Sequence, residues 1–173
     1  MKNTDAQHYS DWNAGIRKKH SRRRSGKVLG CDFIDTDLLI QNREGRRLEE
    51  LIREKGIECF LDIECEVCRT LQAENTVIAT GGSVIYQEPA IRHLKELGAM
   101  VYLSVDFETL RNRLYNVMER GVVLRDGQTL EDLYRERTAL YERYADIIVE
   151  EGSQTLEETV SAVKAALEMR GMI

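Results

Sequence analysis

Thr76-Val77-Ile78-Ala79-Thr80-Gly81-Gly82-Ser83 is the stretch on which the fold reading turns. Three of its first four residues are β-branched and none is charged, which marks a short strand buried on both faces rather than half exposed. The paired glycines then end the strand in a turn where backbone N–H groups can come close to a ligand. A plain strand-to-helix turn explains the same glycines, and for this stretch alone it is the simpler reading. Outward from here the pattern repeats. Met100-Val101-Tyr102-Leu103 is a second buried strand, and Pro89 opens a helix between the two, as proline does in a first helical turn. Upstream, Cys31-Asp32-Phe33-Ile34 reads as a short strand entering a loop. Residues 38–55 read as helical, with Gly45 a break between two helices, and residues 60–71 as a further helical stretch. Downstream, helices are expected over 107–117, 129–144 and 155–169, with a last strand at Ile147-Ile148-Val149. Strands spaced by helices of this length form a parallel sheet covered on both faces, an α/β architecture.

A chain of 173 residues suits one compact domain with a sizeable core, and 42% hydrophobic with 32% charged residues is an ordinary globular balance. The net charge of -5 argues against a general nucleic-acid binder. No apolar run is long enough to span a bilayer, so no membrane partner is expected. The N-terminus lacks the apolar core of a signal peptide, so the expected location is the cytoplasm. There Cys31, Cys59, Cys65 and Cys68 are expected as reduced thiols.

The first 27 residues have a different character. They hold Trp12, His8, His20 and the basic run Arg17-Lys18-Lys19-His20-Ser21-Arg22-Arg23-Arg24, with almost no aliphatic residue and no helical or strand period. We therefore divide the chain into an aberrant basic segment, 1–27, and a domain, 28–173. No internal repeat or proline-rich linker is present.

Four motifs carry possible chemistry. In Asp35-Thr36-Asp37, at the end of a strand, one carboxylate can organise magnesium through water and the other can take a proton from a hydroxyl. As structure alone, Asp37 before Leu38 reads as a helix N-cap. Thr80-Gly81-Gly82-Ser83 is the turn already described. Arg120, in a segment between two helices, can close over a nucleotide and stabilise charge on a transferring phosphoryl group, or it is an ordinary solvated arginine. Arg137, in Arg137-Thr138-Ala139-Leu140-Tyr141, can fork onto a substrate carboxylate, or pair with Glu136 or Glu142. Taken singly, each is better read as structure.

Their order and spacing carry more. Phe33-Ile34-Asp35-Thr36-Asp37, then Ile78-Ala79-Thr80-Gly81-Gly82, then a loop arginine, then Glu136-Arg137-x-x-Leu140-Tyr141-x-x-x-Ala145-Asp146 resembles the running pattern of shikimate kinases over residues 28–170. The resemblance implies a three-layer P-loop NTPase fold of the nucleoside-monophosphate-kinase-like kind, with a five-stranded parallel sheet. It implies ATP and magnesium, and transfer of the γ-phosphate to the 3-hydroxyl of shikimate in aromatic amino acid biosynthesis. Carried over by position, Asp35 would hold magnesium through water. Asp37 would bind the substrate hydroxyls and receive the proton. Gly81 and Gly82 would touch the substrate through their backbone. Arg120 would cover the phosphates, and Arg137 would hold the substrate carboxylate. Small-molecule partners only, and a monomer, are expected.

The chain departs from the family pattern in four places. Phe60-Leu61-Asp62-Ile63-Glu64 stands where the family has Phe-Arg-x-x-Glu, and that arginine also grips the carboxylate. Ser83 replaces the third glycine, and Gly121 replaces the proline after the lid arginine. At the front, the family's strand and G-x-x-x-x-G-K followed by Ser or Thr are missing from the written text, and Gly26-Lys27 is a decoy followed by Val28. The genetic code offers a reason. Codons for residues 8–24, read one base further on, permit I-I-L-I-G-M-P-G-S-G-K-S-T-V-G-V-V, a buried strand and a full phosphate loop. Trp12, with its single codon before asparagine, must then give glycine; most other positions permit the shifted residue without forcing it. First strand and phosphate loop are thus abnormal as written, and weak ATP binding with little kinase activity is the expectation.

Other readings stay open on the sequence. One is a non-catalytic metabolite-binding module on a kinase-like scaffold; another is a kinase for a different small hydroxylated acid, such as a gluconate kinase relative. A metal site on Cys59, Cys65 and Cys68 lacks a second pair or histidine at zinc-like spacing. Nucleic-acid binding through residues 17–24 competes with a solvated tail.

Overall fold

In a computed structural model, the described residues are 6–10, 30–115, 127–151 and 155–172. Five strands form one fully parallel sheet: β1 (Ala6–Ser10), β2 (Asp32–Asp35), β3 (Thr76–Thr80), β4 (Gly98–Ser104) and β5 (Ile147–Glu150), in the order β2-β3-β1-β4-β5. The helices are α1 (Thr36–Glu44), α2 (Leu48–Arg69), α3 (Glu88–Leu97), α4 (Phe107–Tyr115), α5 (Leu130–Tyr144) and α6 (Leu156–Met169), with a 3-10 turn at Val84–Tyr86.

The period-2 geometry of the strands sorts the core into two sides. Ile78 of β3 with Met100 and Tyr102 of β4 face one way, onto Cys68, Val84, Ile91, Leu94, Leu110, Leu133 and Tyr141 from α2 to α5. Val77 and Val101, one residue out of step, face the other way with Ile147 and Val149, onto Val163 and Leu167 of α6. These are the three layers expected from the sequence. A third cluster, Ile40, Leu51, Phe60 and Val67, joins α1 to α2 beside the sheet.

Helix limits follow local chemistry. Thr129 and Thr155 each close a capping box, with Asp132 and Glu158, at the starts of α5 and α6. Gly45 ends α1 in the left-handed region at φ 66°, as read from the sequence. The interruption between the two longer helical stretches falls at Gly56, at φ 82° and ψ 167°, and divides α2.

One expectation needs correction. The first 27 residues show no strand period, yet Ala6–Ser10 is the central strand, in register with Thr76–Thr80 on one side and with residues 98–102 on the other. A central parallel strand is tied by backbone N–H and C=O groups, which nearly every residue supplies, so tertiary context overrides a weak side-chain pattern. Residues 11–29 and Arg120 lie outside the described residues.

Candidate functional site

The carboxyl ends of parallel strands are where such sheets place ligands. In the paired register Asp35 lies opposite Ala79, and Ser10 opposite Thr80, so β1, β2 and β3 end together. From that edge the chain runs from Asp35 directly into α1 and from Thr80 directly into Gly81.

Asp35, not Asp37, is the helix N-cap. Its Oδ1 accepts from the N–H groups of Asp37, at 3.0 Å, and Leu38, at 3.4 Å. The structural role read for Asp37 therefore sits two residues earlier, and Asp37 lies within the first turn of α1. Thr36 between them is wholly buried, and its hydroxyl donates to the Ala79 carbonyl at 3.4 Å, tying the start of α1 to β3.

Gly81 is the point of convergence. Its φ lies outside the left-handed region, so conformational freedom does not explain the glycine. Space does: a Cβ built there falls 3.0 Å from Asp37 Oδ1 and still closer to Glu64 Oε1. Two carboxylates, from α1 and α2, thus close on one buried peptide at the sheet edge. Glu64 is 0% exposed, and its Oε2 accepts from the Ser83 hydroxyl at 2.7 Å. Burial first, then the nearby Glu64 carboxylate, pushes the Cys68 thiol far up. Cys68 is therefore held as a neutral thiol, while Cys31, Cys59 and Cys65 are half-buried thiols outside any disulfide, the Cys31 thiol donating to Asn75 Oδ1 at 3.1 Å.

Arg137 comes to the same segment from α5. Its Nε donates to the Tyr86 hydroxyl at 3.4 Å, and its guanidinium carbon sits 5.7 Å from the Tyr86 ring centroid. Burial raises the Tyr86 phenol above its ordinary value, with Arg137 acting against it. One turn along α5, the Tyr141 hydroxyl donates to the Gly82 carbonyl at 2.7 Å. Asp37 therefore meets Gly81, and Arg137 meets Tyr86 a few residues on.

Leu61 packs against the Ile40–Leu51–Phe60–Val67 cluster and offers no donor. Sequence reasoning passed over Glu64, Tyr86 and Tyr141 as working residues. Asp62 and Glu66 flank Glu64 in the same helical run, so composition did not single it out; its place at the end of Phe60-Leu61-Asp62-Ile63-Glu64 was the available signal.

Among the described residues no group of three His, Cys, Asp or Glu could hold a metal ion; magnesium is commonly bound through one or two carboxylates together with substrate phosphates. Thr80, the last residue of β3, has a buried hydroxyl with no hydrogen-bond partner among the described residues, which suits an occupant able to supply one.

Comparison with known proteins points the same way. The family model described as "Shikimate kinase" matches residues 18–168. Shikimate kinase 2 of Enterobacter sp. is 35% identical over 148 residues, covering 83% of this chain and 84% of that protein. The shikimate kinase of Clostridium botulinum is 33% identical over 154 residues, covering 87% and 89%. The solved shikimate kinase from Acinetobacter baumannii, in complex with shikimate, superposes with a TM-score of 0.83 at 25% identity, over 97% of this chain and 94% of that one. Among the described residues no helix is long and apolar enough to cross a membrane.

Proposed function

The chain belongs to the shikimate kinase family, a family of phosphotransferases with a P-loop NTPase fold, and on that premise we propose that its site is built for ATP-dependent phosphorylation of the 3-hydroxyl of shikimate. The observation that carries the reading is the closure of Asp37 on Gly81 at the carboxyl edge of the sheet.

ATP supplies the phosphoryl group, and magnesium the positive charge that screens it. The rest falls to the chain. Asp37 binds the substrate hydroxyls and accepts the proton released as the hydroxyl oxygen bonds to the γ-phosphorus of ATP and the bond from that phosphorus to the bridging oxygen breaks, that oxygen leaving on ADP. Gly81 and Gly82 bring backbone against the substrate because no side chain intervenes. Arg137, oriented by Tyr86, takes the substrate carboxylate in a charge-assisted fork. Asp35 would hold magnesium, and Arg120 would cover the phosphates. We place the activity in the cytoplasm, in a monomer.

We further propose that residues 8–24 as written stand in place of the family's phosphate loop through a shifted reading frame, and that the written chain binds ATP poorly. The position of β1 supports this. The strand ends at Ser10, two residues before Trp12, the residue at which the shifted text begins its loop with glycine. A phosphate loop follows a strand of this kind. Calorimetric titration of ATP into the written chain tests the point: no micromolar binding is expected, and micromolar binding refutes it. The same protein carrying the shifted residues at 8–24 is expected to bind ATP and phosphorylate shikimate. Binding of shikimate without turnover by that protein would favour the non-catalytic metabolite-binding module.

A further inference from the structure

The glycine turn after β3 has no side chains of its own with which to hold a shape, and glycine gives up more backbone freedom on ordering than any other residue. Something outside the turn must hold it. On one side α2 does so, through Glu64 and the Ser83 hydroxyl. On the other side α5 reaches in with Tyr141, whose hydroxyl donates to the Gly82 carbonyl at 2.7 Å.

The Tyr141 side chain is well placed to act as a fixed strut. It is 2% exposed and lies flat on Tyr102 of β4, with ring centroids 4.9 Å apart and planes 14° from parallel. Tyr102 is itself buried in the central part of the sheet. The hydroxyl therefore projects from a ring that the core has locked against rotation. A stacked aromatic pair of this kind keeps its position at little further entropic cost.

We infer that Tyr141 is a positioning residue for substrate binding, fixing the Gly81–Gly82 turn through the Gly82 carbonyl; the inference rests on the function proposed above. The peptide between Gly82 and Ser83 is planar and trans, so its carbonyl and the Ser83 N–H point in opposite directions. Drawing the carbonyl toward α5 turns that N–H away from α5 and sets the whole peptide plane. The same face of α5 carries Arg137, four residues earlier, against Tyr86. One helix thereby sets both the backbone of the turn and the arginine that approaches the substrate.

Tyr141→Phe in the full-length chain tests this. It keeps the ring, its stacking and its burial, and removes only the hydroxyl. Tyr134→Phe is the control: the Tyr134 hydroxyl donates to the Val105 carbonyl, away from the turn. Two readouts are taken, shikimate binding by calorimetry and amide hydrogen exchange at Gly82 and Ser83 without ligand. Tyr141→Phe is expected to weaken shikimate binding roughly three- to tenfold, the range for one neutral hydrogen bond, and to speed exchange at those two amides. Tyr134→Phe is expected to do neither. Unchanged exchange at Gly82 and Ser83, wild-type affinity for Tyr141→Phe, or an equal loss in Tyr134→Phe each overturns the inference. Failure of the wild-type chain to bind shikimate refutes the proposed function instead, and the exchange measurement then still decides whether Tyr141 holds the turn.

Discussion

Replacing Gly81 with alanine adds one methyl group where two carboxylates already converge. The backbone accepts the change, because φ at Gly81 is outside the left-handed region. The cost is spatial. The new Cβ lies 3.0 Å from Asp37 Oδ1 and closer than that to Glu64 Oε1, whereas ordinary van der Waals contact begins near 3.4 Å. Glu64 has nowhere to retreat without loss: it is 0% exposed, and moving Oε1 away pulls Oε2 from the Ser83 hydroxyl at 2.7 Å. Overpacking of a filled site costs about 1–3 kcal/mol, and a weakened hydrogen bond to a carboxylate about 1.5 kcal/mol or more. Together these come to about 3 kcal/mol, which lowers the unfolding midpoint of a chain this size by about 6–12 °C. Scanning calorimetry of both proteins reads this directly. Calorimetric titration with shikimate is expected to show a loss of more than about tenfold in affinity, because the same methyl displaces Asp37 from the turn. A Gly81→Ala protein that melts within about 2 °C of the parent and binds shikimate equally well would refute the reasoning, since one of the two carboxylates would then have to be free to swing aside.

Ser83→Gly removes the hydroxyl from Glu64 Oε2 and should cost about 1–3 kcal/mol in urea unfolding, with the m-value unchanged; no change in midpoint would mean that the buried carboxylate does not depend on this bond. Stability should fall with rising alkalinity. Burial holds the Cys68 thiol and the Tyr86 and Tyr102 phenols above their ordinary values. The unfolded chain therefore gives up protons that the folded chain retains, so the contribution is intact below about pH 8.5 and is lost as pH climbs beyond it. Urea midpoints at a series of pH values from neutral to alkaline check the sign, and a flat profile contradicts it. Leu61→Arg puts a guanidinium at the position where the family pattern carries one and should tighten shikimate binding about tenfold by calorimetry; unchanged affinity would show that a guanidinium there does not reach the carboxylate.

Much of this molecule could be read from side-chain pattern alone. The strand at Thr76–Thr80, the break at Gly45, the starts of α5 and α6 at threonines, and the parallel three-layer arrangement all follow from local chemistry: β-branched runs, capping hydroxyls and strands spaced by helices. The motif spacing that marks the family is likewise a property of the linear text. Other features depend on the fold. Ala6–Ser10 carries too little side-chain pattern to announce a central strand, and only the open ladder between β3 and β4 recruits it. The N-cap is Asp35 and not Asp37 because α1 starts directly at the strand end, which puts Asp37 inside the first helical turn. Gly81 is glycine because Glu64, distant in sequence, is brought against it, and no local rule encodes that crowding. Tyr141 has its meaning only once α5 lies across the Gly82 carbonyl. Local propensity acts within a few residues, whereas a site joins groups that only chain folding brings within reach of a hydrogen bond.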